Sequence, residues 1–114
     1  MFLPKFLQPY LASYDLSQIS KSDKEMKKEI ITQILNLGDK QAIKWVFENY
    51  KDWEIKESIT NPIRGVWLKR SLFYWKHILE IEISKTDFEM AIANLDPIAN
   101  TKLYENFYKT SSAS

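Results

Sequence analysis

Residues 22–38 read SDKEMKKEIITQILNLG, and this stretch decides the fold. Ser22 and Glu25 have the spacing of a capping box. In that motif the hydroxyl accepts from a free N–H of the first turn and the carboxylate reaches back to the cap. Gly38 stands where a left-handed residue stops a helix. Between them Met26, Ile30, Ile31, Ile34, Leu35 and Leu37 spread over nearly half of the helix circumference. The spacing predicts a helix over 23–37. A stripe that wide predicts a central helix with neighbours on two sides.

The same reading extends toward the C-terminus. Asp39 caps a second helix over 40–50, with Ala42, Ile43, Val46, Phe47 and Tyr50 on its inner arc and Trp45 on the other side. Asp52 caps a third over 53–60, with Trp53, Ile55 and Ile59 apolar. Asn61-Pro62 ends it, since the residue before proline resists helical geometry. Residues 61–66 form a loop. A fourth helix follows over 67–82. Its inner arc carries Leu68, Ser71, Leu72, Trp75, Ile78 and Leu79, and its outer arc Lys69, Arg70, Phe73, Lys76, His77 and Glu80. The alternating residues 80–84 are read as a frayed helix end. Thr86 and Glu89 form a second capping box and open a fifth helix over 87–95. Asp96-Pro97 opens a sixth over 97–109. Thr110 to Ser114 is a small-residue tail, read as disordered.

Toward the N-terminus, residues 2–19 form an irregular apolar arm. Phe2, Leu3, Phe6, Leu7, Tyr10, Leu11 and Tyr14 predict a strap over the core with a short helical turn after Pro4 or Pro9. The fold class is therefore all-α: a compact bundle of five to six short helices with an apolar N-terminal arm. Residues 1–109 are read as one domain.

Composition agrees. The chain has 114 residues, 45% hydrophobic and 14% aromatic, with two glycines, four prolines and no cysteine. Disordered chains are poor in aromatics. All-β folds usually need many more turn residues. Absent cysteine excludes a disulfide scaffold, an iron–sulfur site and cysteine-based zinc fingers. No segment reaches the roughly 18 unbroken apolar residues of a membrane helix. The start lacks a basic residue followed by a long apolar run, so the expectation is a cytoplasmic protein without a signal peptide.

The inventory for catalysis is thin. His77 is the only histidine, and a triad or Cys–His pair needs more partners than the chain carries. There is no metal-ligand spacing and no phosphate loop, because Gly38 and Gly65 stand alone. The expectation is a protein that is not an enzyme and takes no cofactor or metal.

Charge distribution says more than the net charge of +1. Residues 1–55 balance. Residues 56–77 carry Lys56, Arg64, Lys69, Arg70 and Lys76 against Glu57 alone. Residues 78–105 carry Lys85 and Lys102 against Glu80, Glu82, Asp87, Glu89, Asp96 and Glu105. The positive block lies on a loop and the outer arc of the fourth helix, with Phe73 inside it. A basic face with an interleaved aromatic suits an acidic protein surface, or phosphates and a stacked base. The candidate partner-binding residues are Arg64, Lys69, Arg70, Phe73 and His77, together with Trp45.

The second and third helices also have helix-turn-helix lengths. The third opens on Asp52 and Glu54, which repel phosphates, and leaves Lys56, Ser58 and Thr60 as candidate contacts. DNA binding by a regulator stays open as the alternative.

The order and spacing of several motifs resemble a family of short bacterial all-helical domains of unknown function. The residues that carry it are Leu3-Pro4, Ile30-Ile31-x-Gln33-Ile34-Leu35-x-x-Gly38 and Trp45-Val46-Phe47-x-x-Tyr50. Ile55, Ile59, Arg64-Gly65-x-Trp67 and Ser71-Leu72-x-x-Trp75 complete the set. The resemblance spans Leu3 to Leu79. Members are often encoded beside nucleotidyltransferase-like abortive-infection toxins. The resemblance implies an antitoxin-like or regulatory partner role and no catalytic residues. The expected function is a protein-binding module, with a protein partner favoured over nucleic acid. The aromatic surplus is compatible with a homodimer.

Overall fold

The computed structural model describes residues 3–93. The expected sixth helix, the C-terminal tail and the end of the expected fifth helix lie outside the described residues. Within them the protein is a compact all-α bundle of five helices: α1 (Lys24–Leu37), α2 (Lys40–Asn49), α3 (Asp52–Thr60), α4 (Lys69–Ile78) and α5 (Lys85–Ala91). Two short 3-10 turns, Lys5–Tyr10 and Leu16–Gln18, precede them.

Helix α1 is the axis of the bundle and packs against α2, α3, α4 and the first 3-10 turn. Ile30, Ile31 and Ile34 are fully enclosed. Each contributes about 1.5–3 kcal/mol relative to an exposed side chain. Leu37, expected in the same stripe, is half exposed.

The helix boundaries differ from the expectation in physically instructive ways. Asp23, not Ser22, caps α1, and its carboxylate accepts from the Glu25 N–H at 3.1 Å. Gly38 ends α1 with φ −70°, so it is not a left-handed stop. Glycine is required there by space: a Cβ would lie 2.4 Å from the Ile34 carbonyl oxygen. Asp39 caps α2 as expected, accepting from the Ala42 N–H at 2.9 Å. Asp52 falls inside α3. The cap position is Lys51, whose backbone N–H donates to Glu54 at 3.0 Å. Ser84, not Thr86, caps α5 by accepting from the Asp87 N–H.

The largest departure is around α4, which is shorter at both ends than the expected 67–82. Trp67 is not helical. It is fully buried and forms a single parallel bridge with Ile92. Its N–H donates to the Ala91 carbonyl at 2.9 Å, and its carbonyl accepts from the Ala93 N–H at 2.7 Å. Gly65 and Val66 donate to the carbonyls of Met90 and Ala91. The loop thereby satisfies carbonyls at the end of α5 that have no partner within the helix. At the other end α4 stops at a left-handed Glu80 (φ 52°), and residues 81–84 are not helical.

The N-terminal arm lies on the bundle. Leu3, Leu7, Leu11, Leu16 and Ile19 are buried in the core cluster. The Tyr14 hydroxyl donates to Glu29 of α1, and Lys21 donates to Asn49 of α2 at 3.0 Å.

Candidate interaction surface

Helix α4 is anchored from one side. Leu72 and Trp75 are buried, and the Trp75 indole N–H donates to the Leu35 carbonyl at 2.8 Å. Ser71 donates to the Asn36 carbonyl at 2.9 Å. With that side fixed, residues at i, i+3, i+4, i+7 and i+8 from Arg70 face outward. They are Arg70, Phe73, Tyr74, His77 and Ile78.

This outward face is unusually apolar. Phe73, Tyr74 and Ile78 are 52%, 54% and 56% exposed. Phe73 and His77 stack with ring centroids 4.3 Å apart at 33°. Tyr74 meets Trp75 edge to face at 5.0 Å, and Phe47 of α2 lies 5.7 Å from the same indole. Phe47 is 40% exposed, against its expected place on the inner arc of α2. Ile78 likewise leaves the inner arc assigned to it.

Of the candidate residues, Arg70, Phe73 and His77 share this face, and Lys69 flanks Phe73 on the side toward α5. The other two are placed elsewhere. Arg64 lines a small depression of about 160 Å³ with Asp87 and Met90. Trp45 is half buried, packed against the core and edge-on to Tyr50 at 5.7 Å. Trp53, which carries no functional assignment in the sequence, is the most exposed large hydrophobic side chain among the described residues at 65%.

Electrostatics separate the two sides of the molecule. The four ion pairs among the described residues are Lys27–Glu54, Lys28–Glu57, Lys44–Glu48 and Lys56–Asp52. None involves Arg64, Lys69, Arg70, Lys76 or Lys85. On the α1–α3 side Glu54 is nearly buried and held by Lys27 at 2.6 Å. The Lys27 hydrogen bond is the main reason its carboxyl lies below the ordinary range, and it outweighs the opposing effect of burial.

Helices α2 and α3 each pack more on α1 than on one another. Of the three side chains considered for DNA contact on α3, Lys56 and Thr60 are exposed and Ser58 is buried. Lys56 pairs with Asp52 at 3.1 Å. Ser58 is buried and donates to the Glu54 carbonyl, and Thr60 donates to the Lys56 carbonyl. No helix among the described residues is long and apolar enough to cross a membrane. Nor do three or more metal-ligating side chains converge among them. No family model, curated protein or solved structure matches the chain.

Proposed function

We propose that this chain is a non-enzymatic protein-binding module whose contact surface is the outward face of α4. The observation that carries the reading is the apolar row Phe73, Tyr74 and Ile78. It is exposed beside Lys69 and Arg70, cations that make no ion pair among the described residues. Arg70, Tyr74 and Ile78 at i, i+4 and i+8, with Phe73 beside them, suit a helical or grooved partner surface. Aromatic anchors beside arginine are the residue types that dominate interface energies. The cations favour an acidic partner and speed its approach.

The resemblance to domains encoded beside abortive-infection toxins supports a finer version, in which the partner is a cognate toxin held in an antitoxin-like or regulatory complex. The DNA-binding alternative has less support, because Ser58 is buried and α3 opens on the acidic Asp52 and Glu54.

Co-expression with the product of the adjacent gene, followed by size-exclusion chromatography at micromolar concentration, tests the proposal. A complex is expected for the native chain. Replacing Tyr74 and Ile78 together by serine is expected to abolish it without changing the fold. Separate elution, or a complex indifferent to that double substitution, overturns the reading.

A further inference from the structure

Beside the apolar row, α4 and α5 enclose a shallow groove of about 410 Å³. Its apolar lining is Phe73, Ile83 and Phe88, and three lysines reach it: Lys69, Lys76 and Lys85. Phe88 and Ile83 pack partly against the core, so this side is fixed, whereas Phe73 stands out at its edge. Glu89 is the one carboxylate in the wall. None of the three lysines is paired with a carboxylate among the described residues.

We infer that this groove seats a short acidic peptide segment that carries one large apolar side chain, the segment being part of the protein partner proposed above. The inference rests on that reading and sharpens it. Three ammonium groups around an apolar strip match a few carboxylates flanking an aromatic or leucine anchor. The open shape suits an extended chain better than an enclosed small molecule. A nucleic-acid strand fits less well. Glu89 lies in the wall, and the segment 78–93 that supplies much of the lining carries Glu80, Glu82, Asp87 and Glu89 against Lys85 alone, so a long row of phosphates meets more like charge than a short acidic run does. A peptide with a limited acidic run avoids that repulsion.

The test uses the full chain and fluorescence anisotropy. The probe is a labelled short peptide of glutamates flanking a central phenylalanine. The same peptide with glutamines, and an oligothymidine of similar length, are the comparisons. The acidic peptide is expected to bind, with affinity falling as salt rises. Lys69→Glu combined with Lys76→Glu is expected to weaken it about tenfold or more. Phe73→Ala weakens it by a similar factor. Glu89→Gln strengthens it about two- to threefold, which a merely structural role for Glu89 would not produce.

Equal binding of the glutamine peptide, tighter binding of oligothymidine, or indifference to the lysine reversals overturns the groove assignment. So does concentration-dependent self-association that Phe73→Ala removes, which would make a second copy the occupant. The outcomes stay separable from those of the broader proposal. A partner complex that depends on Tyr74 and Ile78 but ignores the lysine reversals leaves the module reading intact and removes only the groove.

Discussion

The side chain of Asn36 acts on the main chain at Leu68 as a neighbouring β-strand would. Its Oδ1 accepts from the Leu68 N–H at 2.8 Å while its Nδ2 donates to the Val66 carbonyl at 2.9 Å. Leu68 is the cap position of α4 and offers no side-chain cap of its own. One amide, nearly buried at the end of α1, therefore fixes where α4 begins and how its outward face is presented.

Asn36→Ala is accordingly expected to cost about 2–3 kcal/mol, because it strands a donor and an acceptor away from water. Asn36→Asp keeps the acceptor, loses the donor and adds a charge where little water reaches, so it is expected to be at least as damaging. Urea denaturation checks both. The midpoint should fall with the slope unchanged, as for a loss of stability without a change in the unfolding transition.

Asn36 also shows where reading the chain reaches its limit. The apolar stripe of α1, the Asp39 cap and the five helices within residues 3–93 follow from local spacing, and local spacing is legible. The role of Asn36 depends on backbone 30 and 32 positions away, and a lone asparagine between Leu35 and Leu37 carries no mark of it. Local spacing places Trp67 in the fourth helix for the same reason. Its true partners are Ala91 and Ala93. The outward face of α4 is half legible. Charge points to the cations and Phe73. It does not point to Tyr74 and Ile78, because α4 has apolar residues all around and a wheel cannot tell which arc meets α1. The tie from Trp75 to Leu35 makes that choice.

The two glycines are expected to respond unequally to asparagine. At Gly65, φ is +71° and a Cβ would meet nothing within 4 Å. Asparagine tolerates left-handed backbone, so Gly65→Asn is expected to cost less than about 1 kcal/mol. At Gly38 the obstacle is the Ile34 carbonyl at 2.4 Å, which no choice of side chain relieves. Gly38→Ala and Gly38→Asn are both expected to cost about 1–3 kcal/mol. Thermal melts of the four proteins, native included, order them. Equal costs for asparagine at the two sites would refute the steric account of Gly38.

Acid should weaken the contact between α1 and α3. The Glu54 carboxyl is held below its ordinary value of 4.5, chiefly by Lys27 and also by the Lys51 N–H. A depressed carboxylate contributes stability that is fully present above the unfolded value and is lost as pH falls through the folded one. Between pH 7 and pH 3 the native chain should therefore lose more stability than Glu54→Gln does. At pH 7 the substitution itself is expected to cost about 1 kcal/mol. Urea midpoints for both proteins across that range measure the difference. Parallel curves would remove Glu54 as a source of the acid sensitivity.

The end of α4 offers a stabilising substitution. The Ile81 N–H donates to the Lys76 carbonyl at 2.9 Å and the Glu80 N–H to the His77 carbonyl at 3.2 Å. That pair of bonds is the Schellman pattern, and it places Glu80 at the position glycine normally fills. Its φ of 52° is costly for a residue with a Cβ. Glycine removes that cost but gives back part of it through the greater freedom of the unfolded chain. A net gain of about 0.5–1 kcal/mol is expected for Glu80→Gly. Glu80 also carries a negative charge near the negative end of the helix dipole, so charge removal alone contributes a little. Glu80→Gln isolates that part and is expected to gain less than glycine. Glu80→Val, with branching at the Cβ, is expected to lose stability. Urea midpoints in the order glycine, glutamine, glutamate, valine would show that backbone conformation, more than charge, limits this end of α4. A glutamine variant as stable as the glycine one would show the reverse.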